Sequence, residues 1–241
     1  MKKTITVILV LAMVVSMSAC GEENSEKRAA EPSMDYHKLL DGDDSVYYYE
    51  ADVLEESPQE EDDEPMESVM AEGRDGKDRH VIATGAEKLE ERQLELKDGY
   101  YIIDDARKEY TKEEKEDEEN LDLKHKGSSE MKVKGKTYRY DEYQGEYEME
   151  GFDEAGEETD PEIYLYSKRY LYDDKGELYA LIYLNELKGQ NGEKNLLVYR
   201  KTETITKFEA SKAPGEIFEI PGNYRQAADE DYGEDEMLEE E

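Results

Sequence analysis

Carboxylates and tyrosines are the side chains with which this chain could do chemistry. The 241 residues include 66 Asp and Glu, 31 Lys and Arg, 20 Tyr, 3 His and 1 Cys. Paired carboxylates can serve as acid and base or bind a cation, and a tyrosine combines an apolar ring with a polar hydroxyl. The net charge of -35 repels phosphate backbones, which argues against a nucleic-acid partner.

The carboxylates and histidines do not form a known catalytic or metal-binding pattern. Asp41, Asp43 and Ser45 begin like an EF-hand calcium loop. Val46 stands where that loop needs glycine, and Glu50 comes too early for its bidentate ligand. No HExxH, GxSxG, Walker or GxGxxG motif occurs, and the histidines lie far apart, at His37, His80 and His125. The sequence therefore predicts no enzyme, no cofactor and no built metal site, but weak binding of divalent cations by acidic loops.

Tyrosines on two long predicted strands form a candidate ligand-binding surface. Four occupy one parity of the first strand and two lie on the second: Tyr164, Tyr166, Tyr170, Tyr172, Tyr179 and Tyr183. On the second strand the tyrosines are predicted to lie opposite Leu178 and Ala180. Rings would form the wall for an apolar or sugar-like ligand, and hydroxyls would orient it. A purely structural role competes with this and is favoured, because tyrosine suits strands in general and ligand pockets are few.

The elements that would position these side chains are mostly β-strands. Asp75-Gly76, Asp98-Gly99 and Gly135 each predict a hairpin turn, because glycine tolerates a positive φ. About eight to eleven strands with short connections predict one mainly β (α+β) domain, built as an antiparallel meander. Since the long strands are apolar or amphipathic on both faces, we expect a helix, another sheet or a ligand to cover the second face. The few short helices are predicted at 33–40, 86–91 and 213–218.

The first residues are typical of a secretory signal peptide, predicted here over 1–19. Lys2 and Lys3 precede an apolar run that is too short to span a bilayer, which takes roughly 20 residues. Met17-Ser18-Ala19-Cys20 resembles the bacterial lipobox, in which the cysteine thiol receives a diacylglyceryl group. The resemblance implies that the mature chain starts at Cys20 and is anchored by lipid to the outer face of the cytoplasmic membrane.

The rest of the chain divides by composition into a tether, one domain and a tail. Long acidic runs repel themselves and have few apolar groups to bury, so they are expected in loops or disorder. The predicted parts are a lipidated tether over 20–33, a β domain over 34–225, acidic loops at 55–67, 112–126 and 153–162, and a disordered acidic tail over 226–241.

From about Ser45 to Tyr224 the strand pattern resembles bacterial lipoproteins built on a LolA-like curved half-barrel, and the resemblance implies a Gram-positive lipoprotein of a group in which many members have no known function. The phrases that carry the resemblance are Gly99-Tyr100-Tyr101-Ile102-Ile103-Asp104, followed by Glu109-Tyr110, and the closing stretch 217–224. The resemblance implies an antiparallel sheet that curls around an apolar cavity, in proteins that carry or sense lipids or lipoproteins. It implies a non-catalytic binding module for an apolar or amphipathic ligand. The alternative is a regulatory envelope lipoprotein that contacts another protein and binds no small ligand.

We expect Cys20→Ser to abolish incorporation of labelled palmitate, because the diacylglyceryl group is transferred to a thiol. The variant is expected to remain unprocessed at the membrane or to be released from the cell. Labelling of wild-type and variant cells, followed by gel electrophoresis, measures both effects. A serine variant that still takes up the label would show that the lipobox is misassigned.

Overall fold

A computed structural model describes residues 35–42, 44–59, 64–115, 121–152, 158–189 and 193–227. The predicted signal peptide, Cys20 and the tether lie outside the described residues, as does the tail from residue 228. All strands of the described ranges belong to one open, 12-stranded sheet.

The sheet consists of two antiparallel meanders that meet at its centre. The first contains β1 (Val46–Glu56), β2 (Met66–Asp75), β3 (Arg79–Gly85), β4 (Glu91–Leu96), β5 (Gly99–Asp104) and β6 (Glu109–Glu113). The second contains β7 (Lys124–Val133), β8 (Lys136–Phe152), β9 (Glu158–Tyr172), β10 (Leu178–Leu187) and β11 (Leu196–Ala210). β1 pairs with β11, and the short β12 (Arg225–Gln226) lies parallel to β6. The predicted mainly antiparallel β fold is confirmed.

The strand ends reach into segments that were predicted as acidic loops. Glu56 still belongs to β1, Glu113 belongs to β6, and β9 begins at Glu158. Gln226, assigned to the tail, pairs with Tyr110. Neither β6 nor β12 was predicted, because both are short and carry no alternation of apolar and polar residues. Acidic side chains on a strand that borders solvent cost little, so composition alone cannot place these boundaries.

The short connection from β6 to β7 requires the sheet to curve. Ten residues separate Glu113 from Lys124, and they span at most about 40 Å when extended. In a flat sheet the two strands would lie ten spacings apart, which is about 48 Å. Leu121 and Leu123 lie against Gly145, and Leu123 packs on the apolar cluster around Tyr170. Residues 121–123 therefore pack on one face of the sheet, which we call the inner face; the other is the outer face.

A single short α-helix covers part of the inner face. α1 (Tyr36–Asp41) buries Leu40, which is 3% exposed, in a cluster with Tyr47, Tyr49 and Leu181. The Tyr36 hydroxyl donates to the carbonyl oxygen of Gly176 at 2.5 Å. The helix predicted at 33–40 is thus present, and it provides part of the expected cover. No helix in the described ranges is both long and apolar enough to cross a membrane.

The outer face of the first meander is covered by the segment that follows β11. A 3-10 helix (Gly215–Phe218) buries Phe218 against Val81, Leu94 and Ile103. Arg92 holds this segment: its guanidinium donates to the carbonyl oxygens of Ile217 and Glu219, both at 3.1 Å. The helix predicted at 213–218 is confirmed as this 3-10 turn. The helix predicted at 86–91 is wrong, because the backbone of 84–91 is used in pairing β3 with β4.

We expect Gly145→Ala to destabilise the fold by about 1–2 kcal/mol, since an added methyl overpacks this contact. Its Cβ would lie 2.8 Å from Leu121 Cγ and 3.1 Å from Leu123 Cδ2. Gly215→Ala is the matched control, because nothing lies within 4 Å of the added atom. Urea unfolding measures the free energy of unfolding of both variants and of the wild type. Equal midpoints would show that the connection does not pack on the sheet.

Candidate functional site

The six candidate tyrosines fall into three places. Tyr170 and Tyr172 are buried at the end of the inner face that α1 covers. Tyr164, Tyr166 and Tyr183 are half-buried on the same face, towards the end that α1 leaves open. The sixth, Tyr179, lies on the outer face. The structure therefore brings three of them together where a ligand has access.

A β-bulge explains why Tyr179 does not lie on the same face as the other five candidate tyrosines. In the pairing of β9 with β10, Leu178 lies opposite Tyr172 and Ala180 lies opposite Leu171, so Tyr179 is the additional residue. Its ring stacks on Tyr138 of the outer face, with ring centroids 4.0 Å apart. The predicted alternation along 178–184 is consequently wrong at its start: Leu178 packs on the inner face, although Ala180 lies on the outer face.

At the closed end, Asp41 fastens α1 to the sheet. Its carboxylate accepts from Lys168 Nζ at 2.6 Å and from the Tyr170 hydroxyl. His37 Nδ1 lies 3.0 Å from both the Asp41 carboxylate and the Tyr170 hydroxyl, and its ring stacks on Tyr143. Burial alone would raise the pKa of Asp41. The charge of Lys168 and the three hydrogen bonds outweigh it, and the pKa of Asp41 is lowered.

Two further carboxylates lie in the middle of the inner face and share one tyrosine hydroxyl. Tyr49 Oη lies 2.5 Å from Glu72 Oε2 and 2.9 Å from Glu203 Oε2, and Glu203 is 1% exposed. Glu72 also accepts from the Tyr47 hydroxyl and lies 3.0 Å from His80 Nε2. Glu203 pairs with Lys201 at 2.8 Å. Each carboxylate is therefore contacted by a basic side chain and by at least one phenol hydroxyl.

The tyrosines of this network are neutral donors at physiological pH. Burial, and then the charge of Glu72, raises the pKa of both Tyr47 and Tyr49 well above the ordinary value. Burial and the Glu203 charge do the same for the pKa of Tyr183. A phenol that stays protonated can orient a polar group but is a poor general base. In the described ranges no three His, Cys, Asp or Glu side chains are grouped to hold a metal ion.

The open end of the inner face presents a group of half-buried tyrosine rings. Tyr147 and Tyr164 stack with centroids 5.5 Å apart, and Tyr166 lies 6.5 Å from Tyr183. Tyr199 lies on the neighbouring strand, opposite Asn185, whose Nδ2 donates to the Tyr147 hydroxyl at 2.6 Å. We call these five tyrosines the tyrosine terrace.

Exposed apolar side chains border the terrace. Met66 is 58% exposed, Met149 is 49% exposed and Leu196 is 46% exposed. Strand register places all three at the open end: Met66 lies opposite Glu55, Met149 opposite Glu162 and Leu196 opposite Leu187. Met66 and Met149 have the inner-face parity of their strands, and a β-bulge between Leu197 and Tyr199 places Leu196 on the same face. An apolar rim around half-buried rings is a surface that a ligand or partner would cover.

Sequence analysis did not identify Tyr147 and Tyr199 as site residues. Tyr147 lies beyond Tyr140, where the predicted strand ended, in an acidic stretch that showed no apolar alternation. The available signal was its parity with Tyr143 on β8. Tyr199 joins the terrace through the pairing of β10 with β11, which single-strand periodicity does not reveal.

A cavity lies on the outer face beneath the segment after β11. It has a volume of about 240 Å³ and is lined largely by apolar side chains, among them Ala71, Ala83 and Ile217. Ligand pockets are usually roughly 300–1,000 Å³. Arg92 already binds Asp105 with both ends of its fork, at 2.7 Å each, so it offers no free polar group to a ligand.

Comparison with known proteins yields a weak structural likeness. No protein-family model matches the chain, and no curated protein matches it in sequence. Among solved structures, the chain is similar to a LolA superfamily protein from Nitrosomonas europaea, with 8% sequence identity and a TM-score of 0.33. The match covers 73% of this chain and 90% of that chain. A TM-score this low supports no inference about function, so the site has to be interpreted from its own geometry.

We expect acid to destabilise the protein through Glu72. Burial raises its pKa, but the hydrogen bond and charge of His80, the charge of Lys168 and the Tyr47 hydroxyl lower it to about 2. The unfolded chain takes up this proton near pH 4.5, so the stabilisation is complete above that pH and is lost as the pH falls towards 2. The size of the loss is on the order of 3 kcal/mol.

Urea unfolding between pH 6 and pH 2.5 measures this effect. Glu72→Gln is expected to be less stable at pH 6 and to lose less stability on acidification than wild type. Glu177→Gln, at an exposed position, is the control with the same change of charge. A Glu72→Gln variant with the wild-type slope would show that Glu72 is not held ionised in the folded protein.

Proposed function

We propose that the protein is a non-catalytic binding module for an amphipathic ligand, anchored by a diacylglyceryl group on Cys20. The observation that carries the proposal is the tyrosine terrace with its exposed apolar rim at the open end of the inner face. Aromatic rings offer a large apolar area together with polar hydroxyls. Such a surface binds a molecule that has both an apolar and a polar part.

The inner face is closed at one end, which favours a binding site over a channel that is open at both ends. α1 and the side chains of Tyr170 and Leu181 fill that end, and both residues are at most 1% exposed. A ligand therefore enters from the open end and stops at the carboxylates of Glu72 and Glu203. Because that floor is polar, the inner face is not the wholly apolar cavity that the LolA-like resemblance implies.

The signal sequence and Cys20 support the location proposed for this module. A cleaved signal peptide places the mature chain outside the cytoplasmic membrane. Two acyl chains on one cysteine anchor a protein stably, whereas a single chain binds only marginally. The ligand is then one that is present at the outer face of the membrane.

We expect Tyr164→Ala with Tyr166→Ala to weaken ligand binding by about 10-fold, because the two rings supply much of the apolar contact area. The chain from residue 21 onward, which cannot be lipidated, is titrated with the neutral dye N-phenyl-1-naphthylamine, and fluorescence enhancement is recorded. Native mass spectrometry of the same preparations detects any amphiphile that co-purifies. Circular dichroism checks that the variants are folded.

Tyr179→Ala is the matched control, since it removes one tyrosine ring from the outer face. It is expected to bind the dye as wild type does. A terrace variant that binds the dye unchanged would rule out this site. A wild-type protein that binds neither dye nor amphiphile would instead favour the envelope-protein alternative, with the terrace as a protein contact.

A further inference from the structure

We infer that the ligand of the tyrosine terrace carries a cationic ammonium group next to its apolar part. This inference rests on the proposed function of the same surface and adds the chemistry of the polar group. It follows from three features of the inner face: where the chain's own lysines lie, what the terrace hydroxyls bind, and the sign of the surrounding charge.

The deeper tyrosines of the inner face already hold ammonium groups. Lys168 Nζ lies 5.3 Å from the ring centroid of Tyr170 and 5.2 Å from that of Tyr183. Lys201 Nζ lies 5.5 Å from the Tyr183 ring. A cation over an aromatic face is attracted by the ring quadrupole, more strongly when water is partly excluded. Two tyrosine rings of this face are therefore paired with lysine ammonium groups.

The outer tyrosines lack such a partner. In the part of the chain that the structure describes, no lysine or arginine lies over the rings of Tyr147, Tyr164, Tyr166 or Tyr199. These four rings are half-buried, so they are accessible to a cation from outside. The deeper rings bind lysine ammonium groups, and the four outer rings offer the same kind of aromatic face. We infer that the ligand supplies the ammonium group for these outer rings.

Carboxylates lie beside the hydroxyls at the edge of the terrace. Tyr164 Oη donates to Glu162 Oε2 at 2.8 Å. Burial, and then the nearby Glu55 carboxylate, raises the pKa of Tyr199. Among the described residues neither carboxylate forms a salt bridge. Lys201 lies opposite Glu55 in the strand register, but its ammonium is 2.8 Å from Glu203. In the described part of the chain, Glu55 and Glu162 are thus negative charges at the mouth that no salt bridge neutralises.

The overall charge disfavours an anionic ligand. With a net charge of -35, the chain repels anions and concentrates cations near its surface. Physiological salt screens this field beyond about 8 Å, so the discrimination has to come from groups at the mouth itself. At the mouth, the carboxylates of Glu55 and Glu162 lie beside electron-rich rings and supply this discrimination against anions.

Three amphiphiles with the same twelve-carbon tail test the inference: dodecyltrimethylammonium, dodecyl maltoside and dodecyl sulfate. Each is titrated calorimetrically below its micelle concentration, into the chain from residue 21 onward, in 0.15 M salt. We expect the ammonium amphiphile to bind saturably and about 10-fold more tightly than the maltoside. The sulfate is expected to bind most weakly.

Two double variants distinguish the effect of the carboxylates at the mouth from attraction to the net negative charge of the protein. Glu55→Gln with Glu162→Gln is expected to weaken ammonium binding about 5-fold and to leave maltoside binding unchanged. Asp174→Asn with Glu177→Gln removes two exposed carboxylates from the turn between β9 and β10, at the closed end. This control is expected to keep both affinities within about 2-fold of wild type.

The possible results distinguish the two proposals. Equal affinity for the three head groups would overturn the ammonium inference and leave the proposed binding function standing. An ammonium preference that both double variants reduce equally would also overturn it, because general attraction to an acidic protein would then explain the preference. If no amphiphile binds the wild-type chain, the binding function and the ammonium inference fail together.

Discussion

The structure depends on three carboxylates, one fully buried and two partly exposed, that tyrosine hydroxyls and basic side chains hold on one face of the sheet. Asp41, Glu72 and Glu203 lie on the inner face of a protein that already has a large excess of negative charge. Burying a charge without partners is costly, so each carboxylate has to be surrounded by donors. This requirement accounts for tyrosine rather than phenylalanine at three core positions, because a phenylalanine at Tyr47, Tyr49 or Tyr170 would remove one donor from a carboxylate.

Topology divides this face into a closed and an open end. The connection to β1 is short, so α1 can reach only the sheet end where β1 begins, and there it covers Tyr170 and Tyr172. At the other end β8, β9 and β11 bring Tyr147, Tyr164 and Tyr199 together, and no helix of the described ranges lies above them. The same type of residue therefore has two roles, as a structural donor under the helix and as an accessible ring at the mouth.

Local sequence signals predicted the secondary-structure elements well. Which residues come together at the site depends instead on pairing between strands that are distant in sequence. Glycine turns placed the hairpins at Gly76, Gly99 and Gly135, because a positive φ is a local property. Parity correctly grouped Tyr164 with Tyr166. A bulge placed Tyr179 on the other face, and the position of α1 over Tyr170 depends on contacts about 130 residues apart in sequence. No periodicity within one strand contains that information.

The seam between β1 and β11 sets the order in which the chain can fold. β1 is complete by Glu56, but the strand that pairs with its free edge does not begin until Leu196. A chain made from its N-terminus therefore holds a hydrophobic, tyrosine-rich strand edge unpaired while most of the domain is still being synthesised. Such long-range pairing is slow, and unpaired edges invite aggregation. The high density of acidic residues between the two strands keeps neighbouring unfolded chains apart during that interval.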